Sequence, residues 1–282
     1  NRVAYEADLL IATGIVEPHQ YAGYSGGRKT LAVGAAGEAM IAYTHGPDML
    51  DHPGTRLGRI EGNPFHEAIT EAARRAGLRF IANVVQDDQK QVVHVQAGEP
   101  EAAFKELVEF AKRLYEVPVP QQYDVAVAGV GYPKDANLYQ ASRAASYLFF
   151  APTSVVRPGG VFIVPAPCQE GAGDGVGEQR FLKAMQDAPG IQFILEDARQ
   201  NGYPPGQQRA FVMAKVLEQN EVIMVGCEDP DLIRSAKFST APTIEDAFAL
   251  ADRKLGSELP AGDAVDALVV PHALLTLPIV QG

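Results

Sequence analysis

The 282-residue chain has little cysteine and no long apolar run, and each absence excludes a class of protein. Its two cysteines, Cys168 and Cys227, are far apart in the sequence and form no C-x-x-C pattern, so neither a disulfide framework nor a zinc knuckle is indicated. Free thiols in a reducing cytoplasm are therefore expected. No apolar run reaches the roughly 18 residues of a membrane span, and no signal peptide is visible, so we expect a cytoplasmic protein without a membrane partner.

An excess of basic residues is also missing. Acidic side chains outnumber basic ones by 35 to 24, which gives a net charge of −11. This balance argues against nucleic acid or an anionic membrane as the main partner. Any anionic substrate must then be attracted by a local basic site.

Strand and helix patterns alternate along the chain and predict an α/β fold with two domains, each a mainly parallel sheet flanked by helices. Prolines in residues 117–122 predict an extended linker between domains at 1–117 and 123–282. The predicted strands are 9–16, 79–85, 123–130, 160–165, 221–225 and 264–270, and the predicted helices are 65–76, 99–115, 137–150, 177–186, 207–219, 231–235 and 244–255. The last strand could return to the first domain.

A glycine-rich loop with two basic residues, Gly23 to Thr30, comes shortly after the apolar run Leu9 to Val16, which is predicted to be a buried parallel strand. Open α/β sheets bind ligands at such strand ends, and glycines allow successive N–H groups to approach an anion. The alternative is an ordinary tight connection with Arg28 and Lys29 in solvent. The loop fails as a P-loop, because Arg28 stands where that motif needs a glycine before its lysine.

His19 precedes this loop at the predicted end of the strand. A neutral imidazole can take a proton near pH 7, which is what a hydroxyl substrate would require. The alternative for His19 is a structural hydrogen bond.

Two motifs stand in order along the chain, the segment from Thr13 through Lys29 and the segment from Gly131 to Gln140. They resemble the lactate racemase family, whose members use a nickel-pincer nucleotide. The first closely resembles the family's cofactor loop, and the second resembles its second signature, in the substrate-facing domain. The resemblance covers essentially the whole chain, although the chain begins inside the family pattern and the N-terminal segment of that pattern is missing. It implies a partial cofactor-binding domain at 1–117, a substrate-facing domain at 123–282 and an active site in the cleft between them.

The resemblance also implies roles for residues of the first domain. His19 would be the general acid/base, and Lys29 would carry the cofactor, nickel pyridinium-3,5-bisthiocarboxylic acid mononucleotide, through a covalent bond. His45 would be the nickel ligand, which suits imidazole chemistry. His52 and His66 are nearby alternatives, expected on the surface or in a helix cap. The remaining predicted cofactor-binding residues are Ser25, Gly26, Gly27 and Arg28.

In the second domain, Tyr139 and Gln140 match family positions that approach the substrate. The family commonly has a lysine where this chain has Arg143, whose guanidinium can bind a carboxylate through two parallel hydrogen bonds. Tyr203 stands roughly where the family can have a tryptophan over the site. No cysteine occurs between Lys29 and His45, although some family members have one there.

The function that the resemblance implies is racemisation or epimerisation of a lactate-like 2-hydroxy acid. In that reaction, hydride would leave the carbinol carbon for the cofactor and return on the other face, while a histidine would remove the hydroxyl proton. The partners would be that small acid and, transiently, the cofactor-synthesis enzymes. Because inversion needs acid/base groups on both faces and only His19 is evident, this segment alone is expected to be incomplete. The alternatives are a phosphate- or nucleotide-binding kinase-like enzyme and a non-catalytic binding protein that keeps the fold.

Overall fold

A computed structural model describes residues 1–256 and 264–281 of the chain. The chain forms two compact units, Asn1–Val117 with Leu275–Leu277 and Pro118–Leu274 with Pro278–Gly282. Residues 257–263 of the predicted second domain lie outside the described residues. Within the part that is described, every helix is too short or too polar to span a bilayer.

The first unit combines a small mixed sheet with helices. Its helices are α1 Arg2–Tyr5, α2 Glu38–Thr44, α3 Pro47–Asp51, α4 Pro64–Arg75 and α5 Pro100–Tyr115, with a π-helical turn at Thr30–Gly34. Its strands are β1 Leu10–Ile15, β2 Pro18–His19, β3 Gly23–Tyr24, β4 Leu78–Gln86 and β5 Val92–Gly98, and β6 Glu116–Val119 follows. The sheet has the order β1-β4-β5, with β1 parallel and β5 antiparallel to β4, while β2 and β3 form a short hairpin.

Helix α4 begins one residue before the helix predicted over 65–76. The Asn63 side chain accepts hydrogen bonds from the backbone N–H groups of Phe65 and His66, and Pro64 occupies the first helical position, where no N–H is needed. Phe65 and Ile69 are buried one turn apart. This packing fixes the first turn of α4, which also carries His66.

Strand β1 is an edge strand and not the fully buried strand that its apolar run predicts. Among the described strands it pairs with β4 alone, and Ile11 and Ile15 are 50% and 39% exposed. An apolar run alone does not distinguish a strand covered on both faces from one at the edge of a small sheet.

The second unit is built on a five-stranded parallel sheet. Its helices are α6 Leu138–Ala141, α7 Arg143–Phe149, α8 Val176–Asp187, α9 Ile191–Asn201, α10 Gln208–Gln219, α11 Pro230–Ser235 and α12 Ile244–Leu255. Its strands are β7 Tyr123–Ala128, β8 Val156–Pro165, β9 Glu221–Val225, β10 Ser239–Ala241 and β11 Ala267–Val270, in the order β10-β9-β8-β7-β11. A final strand, β12 Leu277–Val280, pairs with β6, so the predicted linker contains a short strand.

The core of this sheet consists of small and branched side chains in register. Val125 pairs with Val161, and Ile163 pairs with Ile223, so apolar side chains from three strands meet on one face. Helix α12 covers that face with Ala247 and Leu255. The α/β fold predicted from the alternating pattern is therefore confirmed. The carboxyl ends of β7, β8 and β9 lie at one edge, where α/β sheets commonly bind ligands.

Candidate functional site

The glycine-rich loop of the first unit depends on two successive left-handed glycines. Gly26 and Gly27 have φ angles of 79° and 52°. A Cβ atom on Gly26 would lie 2.9 Å from the carbonyl oxygen of Ile15, and one on Gly27 would lie 3.1 Å from the ring of Phe104. Only glycine adopts this conformation in so little space without strain. The loop therefore turns sharply and leads Lys29 into the π-helical turn.

Ser25 holds the loop against the end of β1. Its hydroxyl donates a hydrogen bond to the carbonyl oxygen of Ile15 at 2.7 Å and accepts one from the backbone N–H of Glu17 at 3.1 Å. The predicted cofactor-binding serine thus has a structural role in shaping the loop.

His19 is half-buried, and its hydrogen bonds fix its tautomer. The Nδ1 atom accepts from the backbone N–H groups of Tyr21 and Ala22, at 3.3 and 3.1 Å. Because a backbone N–H can only donate, Nδ1 carries the lone pair, and the neutral ring holds its proton on Nε2. The structural hydrogen bond that the sequence left as an alternative is therefore present. It leaves Nε2 as the proton-bearing nitrogen.

His45 at the end of α2 has the opposite tautomer. The Thr44 hydroxyl donates to the carbonyl oxygen of Met40 at 2.8 Å, so its oxygen accepts from Nδ1–H of His45 at 2.9 Å. The carbonyl oxygen of Ile41 lies 3.2 Å from the same nitrogen. The lone pair is thus on Nε2, and the Nδ1–H bond to a backbone carbonyl is the support that metal-ligating histidines usually have.

The surroundings of His45 keep its ring neutral. Burial and the positive charge of Lys29 lower its pKa, and the hydrogen bond to the Ile41 carbonyl opposes the change, with a net pKa of about 4. An imidazole in this state presents a lone pair at neutral pH, which a metal ligand requires.

The two histidines pack on the same pair of aromatic rings. The ring of Tyr21 lies 5.7 Å from His19 and 5.5 Å from His45, while that of Phe65 lies 6.3 Å and 5.0 Å from them. Since Lys29 acts electrostatically on His45, the structure brings together the predicted acid/base, the tether and the nickel ligand within the first unit.

Arg28 points into the first unit and not into solvent. Its Nε atom donates to the Thr70 hydroxyl at 2.9 Å, one terminal nitrogen contacts Nδ1 of His66, and the guanidinium lies 3.7 Å from the centre of the Phe104 ring. Burial lowers its pKa and the charge of Glu101 partly opposes this, with a net pKa of about 9. The interpretation of Arg28 as a solvated cation is therefore wrong. Its side chain ties the glycine-rich loop to α4 and α5.

The prediction for His66 also needs correction. Its ring is not on the surface or in a cap but lies half-buried, 6.1 Å from the Phe104 ring and against Arg28. Burial and the charge of Arg28 lower its pKa to about 3. His52 does lie in a cap, since it is the C-cap residue of α3, and its Nδ1 accepts from the backbone N–H of Gly54 at 3.0 Å.

In the second unit, Gln140 and Arg143 contact each other, although the helix predicted over 137–150 is broken. Ser142 separates α6 from α7, yet one guanidinium nitrogen of Arg143 donates to Gln140 Oε1 at 3.0 Å, and the other donates to the Tyr147 hydroxyl at 2.9 Å. These contacts orient a half-buried guanidinium next to the loop that carries the second signature.

The sequence reasoning missed Arg209 on α10. This arginine is only 6% exposed, donates to the Ser146 hydroxyl at 2.9 Å and lies 5.4 Å from the ring of Tyr139. Its Nε atom has no hydrogen-bond partner among the described residues. The one sequence signal was an arginine beside the otherwise apolar stretch Ala210 to Ala214. Arg209 therefore lies against Tyr139, while Arg143 binds the neighbouring Gln140.

Tyr203 lies at an apolar cavity. Its ring is 5.7 Å from that of Phe211, and the cavity, of about 290 Å³, is also lined by Phe193 and Ile194. Tyr139 is not among the residues that line this cavity. Its ring edge packs against Phe181 on α8, at 5.7 Å.

The fold and the site define an α/β protein with a lysine and two histidines around a glycine-rich loop. The chain belongs to the lactate racemase family: the model of the lactate racemase C-terminal domain matches residues 120–270, and that of the N-terminal domain matches residues 1–58.

Individual relatives agree with this assignment. The chain is 35% identical over 279 residues to the lactate racemase of Lactiplantibacillus plantarum and 32% identical over 253 residues to that of Thermoanaerobacterium thermosaccharolyticum. The matches cover 97% and 89% of this chain, but only 62% and 58% of those relatives, so the chain spans about three fifths of their length.

Solved structures show the same fold. The lactate racemase apoprotein of T. thermosaccharolyticum matches with a TM-score of 0.87 and 29% identity, over 99% of this chain and 64% of that one. A protein from Thermotoga maritima matches with a TM-score of 0.70 and 18% identity, over 100% and 69% of the two chains, and shares the fold alone.

Proposed function

We propose that this chain acts in a racemase or epimerase of a lactate-like 2-hydroxy acid and carries a nickel-pincer nucleotide on Lys29. The observation that supports this proposal most is the arrangement in the first unit. His19 and His45 pack on the rings of Tyr21 and Phe65, and the charge of Lys29 acts on His45. The names of the curated relatives support lactate as the first substrate to test.

The residues of the first unit fit such a cofactor. Lys29 offers an amine for a covalent bond, and the neutral His45 offers one imidazole lone pair, a donor that suits nickel. Within residues 1–256 and 264–281, no group of three or more His, Cys, Asp or Glu side chains is placed to hold a metal, so nickel would need ligands besides His45. The bound cofactor would supply those ligands and the hydride-accepting carbon.

The protein's own contribution at the substrate hydroxyl would come from His19. Its neutral tautomer presents Nε2–H, which can donate a hydrogen bond to a substrate oxygen. To take the hydroxyl proton on Nε2, or to return it from the imidazolium, the ring must carry a proton on Nδ1, so the bonds from Tyr21 and Ala22 must open. His19 would therefore orient the substrate oxygen as it stands, and proton transfer in either direction would need a local rearrangement.

Arg143 would bind the substrate carboxylate. Its guanidinium is held by Gln140 and Tyr147, so little side-chain entropy remains to be lost on binding. Arg209 would add positive charge beside Tyr139 without needing to touch the substrate. We further expect a cytoplasmic protein that meets the cofactor-synthesis enzymes transiently.

Mass spectrometry and metal analysis test this function directly. Protein produced together with the cofactor-synthesis enzymes should show an added mass on the peptide that contains Lys29 and should contain nickel. Lys29→Arg keeps the charge but removes the amine, so both signals should disappear. His45→Gln should keep the added mass and lose most of the nickel.

Two results would contradict the proposal. One is an unmodified Lys29 in protein that racemises lactate. The other is dependence on magnesium and a nucleoside triphosphate, which would favour the kinase-like alternative.

A further inference from the structure

Cys168 and Cys227 lie next to each other in the second unit, although they are far apart in the sequence. They follow β8 and β9, which are parallel neighbours. The backbone N–H of Glu228 donates to the carbonyl oxygen of Pro167 at 2.8 Å. This bond joins the residue before Cys168 to the residue after Cys227, so the two α-carbons flank a single backbone hydrogen bond.

The two thiols are in contact. The Cys227 thiol donates to the carbonyl oxygen of Ala166 at 3.2 Å, and the two cysteine side chains form a hydrogen bond with each other. Both are free cysteines. A disulfide requires α-carbons about 4.4 to 6.8 Å apart with the side chains directed at each other. The hydrogen bond between the flanking peptide groups holds the two α-carbons close, and the hydrogen bond between the thiols directs the side chains at each other.

The two thiols differ in reactivity. The hydrogen bond from Cys168 lowers the pKa of Cys227, while the same contact, followed by burial, raises the pKa of Cys168. Cys227 is half-buried, whereas Cys168 is only 2% exposed. The thiolate is the nucleophile in thiol oxidation, so Cys227 reacts first and Cys168 second.

We propose that Cys168 and Cys227 are a modification site at which a peroxide closes a reversible disulfide. The Cys227 thiolate attacks one peroxide oxygen, the O–O bond breaks, and one water leaves as the sulfenic acid forms. The Cys168 sulfur then attacks the Cys227 sulfur, forms the S–S bond and releases the oxygen as a second water. Two thiols are oxidised by two electrons, and one peroxide is reduced to two waters.

The bond would form beside the loop of the second signature. The backbone N–H of Cys168 donates to the carbonyl oxygen of Asp135 at 3.0 Å, and that of Glu170 donates to the carbonyl oxygen of Ala136 at 2.8 Å. Asn137, the next residue, caps α6. The disulfide would thus pin the carboxyl ends of β8 and β9 directly under the segment that leads to Tyr139.

Hydrogen peroxide treatment of the purified chain tests the proposal. Reactive thiols should fall from two to none, the mass should fall by that of two hydrogen atoms, and a digest should give one cross-linked peptide pair containing Cys168 and Cys227. Dithiothreitol should restore both thiols. Peptide mapping of the unmodified sequence gives this answer without depending on how any variant folds.

Single variants test the order of reaction. Cys168→Ser should leave a sulfenic acid on Cys227 that a dimedone probe captures, while Cys227→Ser should react with peroxide about tenfold or more slowly, since the remaining thiol is buried. Retention of both thiols, a disulfide between two chains, or direct conversion of either cysteine to a sulfinic acid would overturn the proposal.

Discussion

The nitrogen-bearing side chains of the two units differ in protonation state. In the first unit, burial holds His45 and His66 neutral, and the charged Arg28 is enclosed between helices. In the second unit, Arg143 keeps a half-buried guanidinium oriented by Gln140. The first arrangement suits lone-pair donation to a metal, and the second suits attraction of an anion.

The difference follows from side-chain chemistry. An imidazole loses its proton readily when burial penalises the charged form, whereas a guanidinium remains protonated in most protein environments. Histidine therefore provides a lone pair inside a ring cluster, and arginine provides a lasting charge. Arg28 and Arg143 both lie in or next to sequence motifs, but a motif alone does not show which guanidinium a ligand can reach.

The largest expected effect is at His19, where the Asn and Ala variants separate chemistry from structure. Both variants remove the acid/base group and should lower kcat by about 10²- to 10⁴-fold in cofactor-loaded protein. Asn can still accept the backbone N–H groups of Tyr21 and Ala22, so its unfolding free energy should stay near the parental value, while Ala should lose about 1 kcal/mol. Parental turnover in His19→Asn would remove His19 from catalysis.

The next largest effect concerns substrate binding by Arg143 in the second unit. Arg143→Ala removes a charged hydrogen-bond donor and should lower kcat/KM for lactate by roughly ten- to a hundred-fold. Arg143→Lys keeps the charge without the planar fork and should lose less. Steady-state kinetics over a panel of 2-hydroxy acids measures both. If neither variant changes kcat/KM, the carboxylate is bound elsewhere.

Arg28 should affect stability more than binding. Arg28→Ala breaks the bond to Thr70 and the contact with Phe104, and should lower the unfolding free energy by about 2 to 3 kcal/mol. Arg28→Met fills much of the same volume without a charge and should recover part of that loss. Urea unfolding of the apoprotein gives the values. An Ala variant as stable as the parent would show that the guanidinium does not brace the loop.

The last expected effect is a pH dependence at His66, which is small near neutral pH. Its pKa of about 3 in the folded chain lies below the ordinary value of 6.5, so between these values the unfolded chain binds a proton there that the folded chain does not. Unfolding free energy should therefore fall as the pH drops through this window. His66→Gln, which keeps an acceptor for Arg28, should flatten the slope in urea titrations. An unchanged slope would mean that other groups cause it.

Much of the fold follows from local sequence patterns. The parallel strands and the capped helix α4 were predictable because periodicity, Asn63 and Pro64 are local signals. The antiparallel strand β5 also has such a signal, an alternation that follows a turn in which the Asp87 side chain accepts from the backbone N–H of Gln91, but it went unpredicted. Strands β10 and β12 are three and four residues long, too short for a local pattern.

The site was only partly predictable. The motifs predict His19, Lys29 and His45 as residues of the candidate site, but the direction of Arg28 depends on Phe104, which is distant in sequence. Arg209 belongs to no motif, and its contact with Tyr139 arises from packing of α10. Contacts between segments that are remote in sequence produce no regular residue spacing, so a sequence pattern cannot predict them.

The order of strands in the second unit has a consequence for protein synthesis. Strand β7 is the first of its sheet to leave the ribosome, whereas its outer neighbour β11 is the last. During translation, the edge of the nascent sheet formed by β7 therefore stays unpaired until nearly the whole unit has emerged. Unpaired strand edges of this kind invite association with other chains. A premature stop codon just before Ala267 would make that temporary exposure permanent, and such a truncated product should depend heavily on chaperones.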